Sequence, residues 1–424
     1  MAFEDSAQTS GAGSRYLGEG FRQEPDFREA TTTFHVPGPP PPAMIETTGA
    51  LPVVRRTRTP NLDHVFDDPT EGEPGRDRMV VHGLWELILL VAAGGVGYLL
   101  LREDAGVFSG EALKDLLLGA AVLGLLAVGA ATSLRAGAPN LSLGAVAVAA
   151  SLYFGQHAGN GVLGALLVVV GVCAAIGAVQ GLVVVGLQVP GWAAGLGVAL
   201  VMFVWSNRQA EVSMDTGYDP LPHTFWWVGG FVAASVIAGL VGMTPSVRRG
   251  LGRYRPVADP ALRRGFVAAF ITLAATVVSS IFAGLAGVLS VSVARSATPS
   301  DGFVLTGLAI GAALLGGTSA FGRRGGIFGT VFAVGLVTLV IKYAEVTERS
   351  WQLAAFAGVA VGLGLLVTRL VERLGRPAAA DPDDDDDEDW VPRWNSGAPK
   401  PVNPGAGPGG IWASDESWGS SEGR

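Results

Sequence analysis

Cysteine is almost absent from this chain of 424 residues: Cys173, inside an apolar run, is the one thiol, which excludes an internal disulfide framework and any CxxC metal site. It gives no evidence on redox compartment. The five histidines, His35, His64, His82, His157 and His223, are scattered, and none stands at the HExxH-type spacing that puts two ligands on one helix face. The pattern therefore offers no metal site and no hydrolytic triad. No glycine is followed by lysine, so a Walker A loop is excluded and ATP is not bound by that device. The N-terminus lacks the basic, apolar, small-residue order of a cleavable signal peptide, and insertion is expected to rely on an internal segment that begins after Arg78.

Charged residues make up only 16% of the chain and hydrophobic residues 49%, a balance outside that of soluble globular proteins. It reads as a membrane protein. The formal net charge of −8 belongs to the ends. Residues 1–78 carry −5, residues 79–376 carry +5 and residues 377–424 carry −8. The apolar body is thus mildly basic, and nucleic-acid binding is not expected. Residues 1–78, with Gly38 followed by four prolines, and residues 377–424, with the acidic run Asp383 to Asp389, are too polar to offset the entropy of ordering. Both are read as disordered tails flanking a transmembrane domain over 79–376.

Within that domain, apolar runs of about spanning length recur near 80–101, 115–134, 140–155, 161–186, 191–206, 224–243, 265–292, 302–316, 326–342 and 351–370. The pattern predicts an all-α bundle of about ten spans, rich in the Gly and Ala that let helices approach closely, and excludes a β-barrel. The third, fifth and eighth runs are short for a hydrocarbon layer of about 30 Å, which points to half-helices or re-entrant pieces. Lysines and arginines concentrate on one set of flanks, including Arg135, Arg248, Arg249, Arg323, Arg324 and Arg373, so both tails are expected on the cytoplasmic side of a plasma membrane. Charge inside the runs is nearly absent, with Glu86 and Lys342 near their ends, which argues against a proton or ion relay. Trp226, Trp227 and Trp351 fall where interface anchors are expected.

Three segments interrupt the apolar pattern. In Gly137 to Gly144 a Pro139-Asn140 step breaks the run, and a new helix could start with Asn140 or Ser142 as N-cap. Such a break is either a surface loop or a discontinuous helix lining a cavity, as transporters use. In Leu315 to Gly326, a Gly-rich link carries Thr318, Ser319 and the pair Arg323-Arg324, which also suits a tight cytoplasmic turn. The loop 244–264 holds six arginines, and Asp259 to Arg264 could form a short helix with Asp259 as cap and Pro260 at its first position. That charge is either topogenic or a docking surface for acidic partners or anionic lipid.

Taken in order, these segments resemble the membrane permease subunits of ribose-type ABC importers. The stretch around Asn140 is similar to the family's GIDLSVG motif, and Gln180 to Val183 with Val189-Pro190-Gly191 to its NGLL…IPPF region. Phe282 to Leu289 is similar to its LAGLAGVL span, and Leu315 to Gly329 to its LGGTSLFGGRGSVLG. The resemblance spans roughly residues 115–370. It implies a homo- or heterodimer of ten-span subunits, without a cofactor, powered by separate cytoplasmic ATPase subunits and fed by an extracytoplasmic solute-binding protein carrying a monosaccharide or related polar solute. It further implies that Asn140, Ser142 and Gln180 line the solute path and that Thr318 and Ser319 shape its cytoplasmic end. Two departures stand out. Asn140 replaces the family's aspartate. The loop Gly252 to Gly265 keeps Gly252, Arg253 and Tyr254 of the family's coupling segment but lacks its Gly-Gly-Asn core. Arg253, Asp259, Arg263 and Arg264 are accordingly the residues expected at an altered ATPase contact. A permease-derived scaffold that no longer transports, with its tails binding cytosolic proteins, is the alternative. An ion-coupled transporter lacks the embedded acids, and a membrane enzyme lacks a nucleophile.

Overall fold

The computed structural model describes residues 79–214, 217–243, 266–321 and 325–374. The two proposed tails, the loop 244–264 with Arg253, Asp259, Arg263 and Arg264, and the pair Arg323-Arg324 lie outside the described residues. Among the described residues there are ten α-helices, near the ten apolar runs. They are α1 (Met79–Glu103), α2 (Gly110–Arg135), α3 (Leu143–His157), α4 (Val162–Gly186), α5 (Gly191–Ser206), α6 (Thr224–Met243), α7 (Phe266–Ala294), α8 (Phe303–Leu315), α9 (Gly329–Val346) and α10 (Leu353–Leu374). The one departure from an all-helical chain is a two-residue antiparallel pair, β1 (Val212–Ser213) with β2 (Ser296–Ala297).

Seven of these helices are long and apolar enough to cross a membrane. The exceptions are α3, α5 and α8, of 15, 16 and 13 residues. At 1.5 Å per residue they reach only about 20–24 Å, short of a hydrocarbon layer of about 30 Å. These are the three short runs, and they sit together in the interior. α7 is the hub: α2, α3 and α4 all pack along it, α5 leans on α3 and α4, and α8 lies between α2 and α10. On the periphery, Leu84, Leu87 and Val91 of α1, Leu163 and Leu167 of α4, and Val359, Leu363 and Leu366 of α10 face outward. Apolar surface this extensive suits lipid and not water. The chain is a polytopic membrane bundle.

Small residues set the packing distances. A Cβ at Gly177 of α4 would come within 2.5 Å of the Thr276 carbonyl of α7, and one at Gly311 of α8 within 2.7 Å of the Ala360 Cβ of α10. The tightest approach joins the starts of α3 and α8. There the backbones of Gly144 and Gly302 touch, and a side chain at either position would overlap the other's backbone. Gly302 also has φ of 68°, a left-handed conformation that glycine adopts without steric cost.

Two consequences can be measured as thermal stability in detergent. Gly144→Ala is expected to destabilise the bundle by about 1–3 kcal/mol through overpacking. Gly335→Ala, where nothing lies within 4 Å of the added methyl, is expected to be neutral or mildly stabilising. Equal stability of the two variants would remove the crossing as a constraint.

Candidate solute path and end loop

The break between α2 and α3 is built by polar groups folded onto their own backbone. α2 ends at Arg135, and Gly137, with φ of 65°, turns the chain so that the Ala138 N–H donates to the Ser133 carbonyl at 3.0 Å. The Asn140 N–H then donates to Ser133 Oγ at 3.2 Å. Asn140 Oδ1 accepts twice, from the Ser142 N–H at 2.9 Å and the Ser142 hydroxyl at 2.6 Å. This corrects the capping expectation. Ser142 occupies the N-cap position, but its side chain makes no capping bond, and Asn140 forms an Asx turn instead. The Gly144 N–H at the start of α3 is satisfied from outside, by Thr306 Oγ1 of α8 at 2.9 Å. Thr306 has no counterpart among the sequence candidates, because a threonine in an apolar run carries no periodic signal.

Asn140, Ser142 and Gln180, separate in sequence, meet in this structure. The Asn140 amide donates to Ser279 Oγ of α7 at 3.1 Å, and Gln180 Oε1 of α4 stands 3.3 Å from the Ser142 hydroxyl. All three are at most 1% exposed. The hydroxyl's single proton serves the shorter contact to Asn140, which leaves Gln180 weakly held. Gln180 Nε2 has no hydrogen-bond partner among the described residues, and neither has the neighbouring Ser280 Oγ. Buried polar groups are nearly always paired, so an unpaired carboxamide end beside hydroxyls is a place for a polar ligand group. Asparagine at 140 also has a direct reason. It accepts through Oδ1 and donates through Nδ2 at once, which a carboxylate cannot do.

Thr318 and Ser319 belong to a different cluster, at the end of the bundle where α2, α6, α8 and α10 finish and α1 and α9 begin. Here the Leu315–Gly329 link crosses itself, with Gly316 packed on the Gly329 backbone. The link is held by three side chains from elsewhere. The Trp85 indole donates to the Leu315 carbonyl at 2.8 Å, and Arg135 Nη2 donates to the Gly326 carbonyl at 2.9 Å. Glu86 Oε1 accepts from the N–H groups of Phe328 and Gly329 at 2.8 and 3.0 Å. A carboxylate at the first turn of α9 meets the positive end of its dipole. Ser319 Oγ donates to Glu372 Oε1 at 2.6 Å and accepts from the Phe321 N–H, while the buried Thr318 Oγ1 makes no hydrogen bond to the described residues. Arg369 lies over the Phe321 ring at 5.7 Å.

Trp85, Glu86 and Arg135 as fasteners of this link escaped the sequence reading, which placed Glu86 at a span end and Arg135 among topogenic charges. The available signal was an acid seven residues into the first apolar helix, where an unpartnered carboxylate is costly. Among the described residues no group of three metal-binding side chains occurs. Trp226 and Trp351 are exposed as anchors would be, whereas Trp227 donates to the Tyr218 hydroxyl at 3.0 Å.

The fold and its neutral polar break define a multi-pass membrane protein with a transporter-like discontinuous helix. No protein-family profile matches the chain, and no solved structure matches it. It is similar to the D-allose transport system permease protein AlsC of Escherichia coli (strain K12), with 32% identity over 117 residues. That match takes in 26% of this chain and 36% of the relative, so it spans about a third of the relative's length.

Glu86→Ala is expected to cost about 1–3 kcal/mol of stability, because it strands two buried N–H groups. Glu86→Gln, whose amide oxygen can still accept, is expected to retain most of that. Thermal unfolding in detergent separates the two, and equal losses would show that charge alone matters at this position.

Proposed function

We propose that the chain is the membrane permease subunit of an ABC importer for a monosaccharide or related polar solute. It works with separate cytoplasmic ATPase subunits, an extracytoplasmic solute-binding protein and a second permease subunit, homologous or identical. Both termini face the cytoplasm, a placement supported by the arginine-rich flanks. The observation that carries this reading is the Asn140, Ser142, Gln180 and Ser279 cluster at the break between α2 and α3, with the Gln180 carboxamide unpaired on one end. Uncharged donors and acceptors suit hydroxyl groups, and they bind weakly enough to let a neutral solute leave. The similarity to an allose permease points to the same class of cargo. Thr318 and Ser319, in the end link, shape the cytoplasmic side. Arg253, Asp259, Arg263 and Arg264 form the ATPase contact.

A second reading, a permease-derived scaffold that does not transport, is favoured by one feature: the loop carrying Arg253 and Tyr254 lacks the Gly-Gly-Asn core of the family's coupling segment. Affinity purification from native membranes in mild detergent distinguishes the two. An ABC-type ATPase and a solute-binding protein among the captured proteins support the importer, and their absence supports the scaffold.

Asn140→Leu is expected to lower solute uptake at least tenfold at normal expression, and Cys173→Ala to leave it within twofold. Equal uptake by both would remove Asn140 from the path. Replacing Arg263 and Arg264 with Glu is expected to abolish uptake while insertion proceeds, and normal uptake by that variant would end the proposed ATPase contact.

A further inference from the structure

We propose that residues 207–214, which follow α5, form a strap that gates the solute path at the end of the bundle opposite Glu86 and Arg135, and that Arg295 is its fastener. The proposal rests on the transport reading above. Four observations carry it.

The strap covers the end of α3, the helix whose start bears Asn140 and Ser142. Val212 and Met214 are buried there, and a Cβ at Gly155 of α3 would come within 2.8 Å of Val212 Cγ1. A strap side chain thus occupies the space that a residue larger than glycine would claim on α3.

Few contacts hold the strap down, and most of them converge on one residue. Val212 pairs with Ala297 and Ser213 with Ser296, next in sequence to Arg295. The Met214 N–H donates to the Arg295 carbonyl at 2.8 Å. The Arg295 guanidinium donates to the Tyr218 carbonyl at 3.4 Å and meets the Asp219 carboxylate at 3.2 Å, with both charged side chains nearly half exposed. An ion pair that open to water is weak, and elements with few, solvent-exposed fastenings are the ones that open locally.

Arg295 itself is strained. Its φ is 58°, in the left-handed region that non-glycine residues seldom occupy. Release of the strap removes the contacts that impose this conformation.

Finally, the polar cluster below is closed: Asn140, Ser142 and Gln180 are at most 1% exposed. A solute reaches Gln180 from this end only after something over α3 moves, and the strap is the element there with the fewest fastenings.

Locking the strap tests this. Ser213 and Ser296 are register partners and both are exposed, and directly opposed residues of an antiparallel pair lie within disulfide reach. The double variant Ser213→Cys/Ser296→Cys, in the full chain, is oxidised to lock the strap and reduced to free it, and the buried Cys173 does not interfere. Failure of the two thiols to join would overturn the strand pairing and the gate with it.

The first measurement needs no solute. With Ser151→Cys added, one turn below Gly155 on α3, a hydrophilic maleimide is applied to the protein in lipid nanodiscs. Locking is expected to slow labelling of that thiol at least tenfold, and equal rates in the two states overturn the gate. The second is uptake of radiolabelled D-allose and D-ribose by cells carrying the double variant. Uptake when reduced and its loss when oxidised support the gate, whereas uptake in both states overturns it. Protected labelling together with no uptake of either sugar by any form, the unmodified chain included, would overturn the transport reading and leave the gate standing.

Discussion

Two backbones meet at Gly144 and Gly302 inside an apolar bundle, and the arrangement around them follows from one requirement. In lipid there is no water to satisfy a backbone N–H, so a helix that starts within the layer must find its partners in the protein. The start of α3 finds the Thr306 hydroxyl, and Ser142 finds Asn140. The crossing requires glycine on both sides, and this closeness brings Thr306 within reach. The short helices α3, α5 and α8, the turn at Gly137 and the gathering of Asn140, Ser142, Gln180 and Ser279 all serve that junction.

The polar groups divide by charge along the bundle. The central cluster is neutral and contains amides and hydroxyls only. The charges are held at one end, where Glu86, Arg135 and Glu372 each engage the Leu315–Gly329 link or its neighbours. A neutral cluster can exchange one hydroxyl partner for another with little change in electrostatic energy. A carboxylate set on the N–H groups of Phe328 and Gly329 cannot let go so cheaply. The first arrangement suits a passage and the second a fixed frame.

Helix number, the positions of all ten helices and the identity of the three short ones were legible in the sequence, because apolar run length is a direct readout of what lipid demands. The meeting of Asn140, Ser142 and Gln180 was legible through family resemblance, not through spacing, since Gln180 is 38 residues from Ser142. What escaped was pairing at long range. Trp85 donates to a carbonyl 230 residues away, and nothing in the local sequence of α1 names Leu315 as its acceptor. Thr306 escaped for a related reason. A lone hydroxyl in an apolar helix usually bonds its own backbone, and Thr306 differs only because Gly144 comes close enough to donate to it.

The Glu86 contact has a bearing on the order in which the protein is made. α1 leaves the ribosome first, and its carboxylate enters the membrane 242 residues before Phe328 exists to donate to it. During that interval the first helix carries an unanswered charge, and Arg135 arrives before the backbone groups do. Insertion of α1 is therefore provisional, and the cell's insertion machinery has reason to hold it until the ninth helix emerges. Assembly of this bundle is a closure, in which the earliest segment is secured by one of the last.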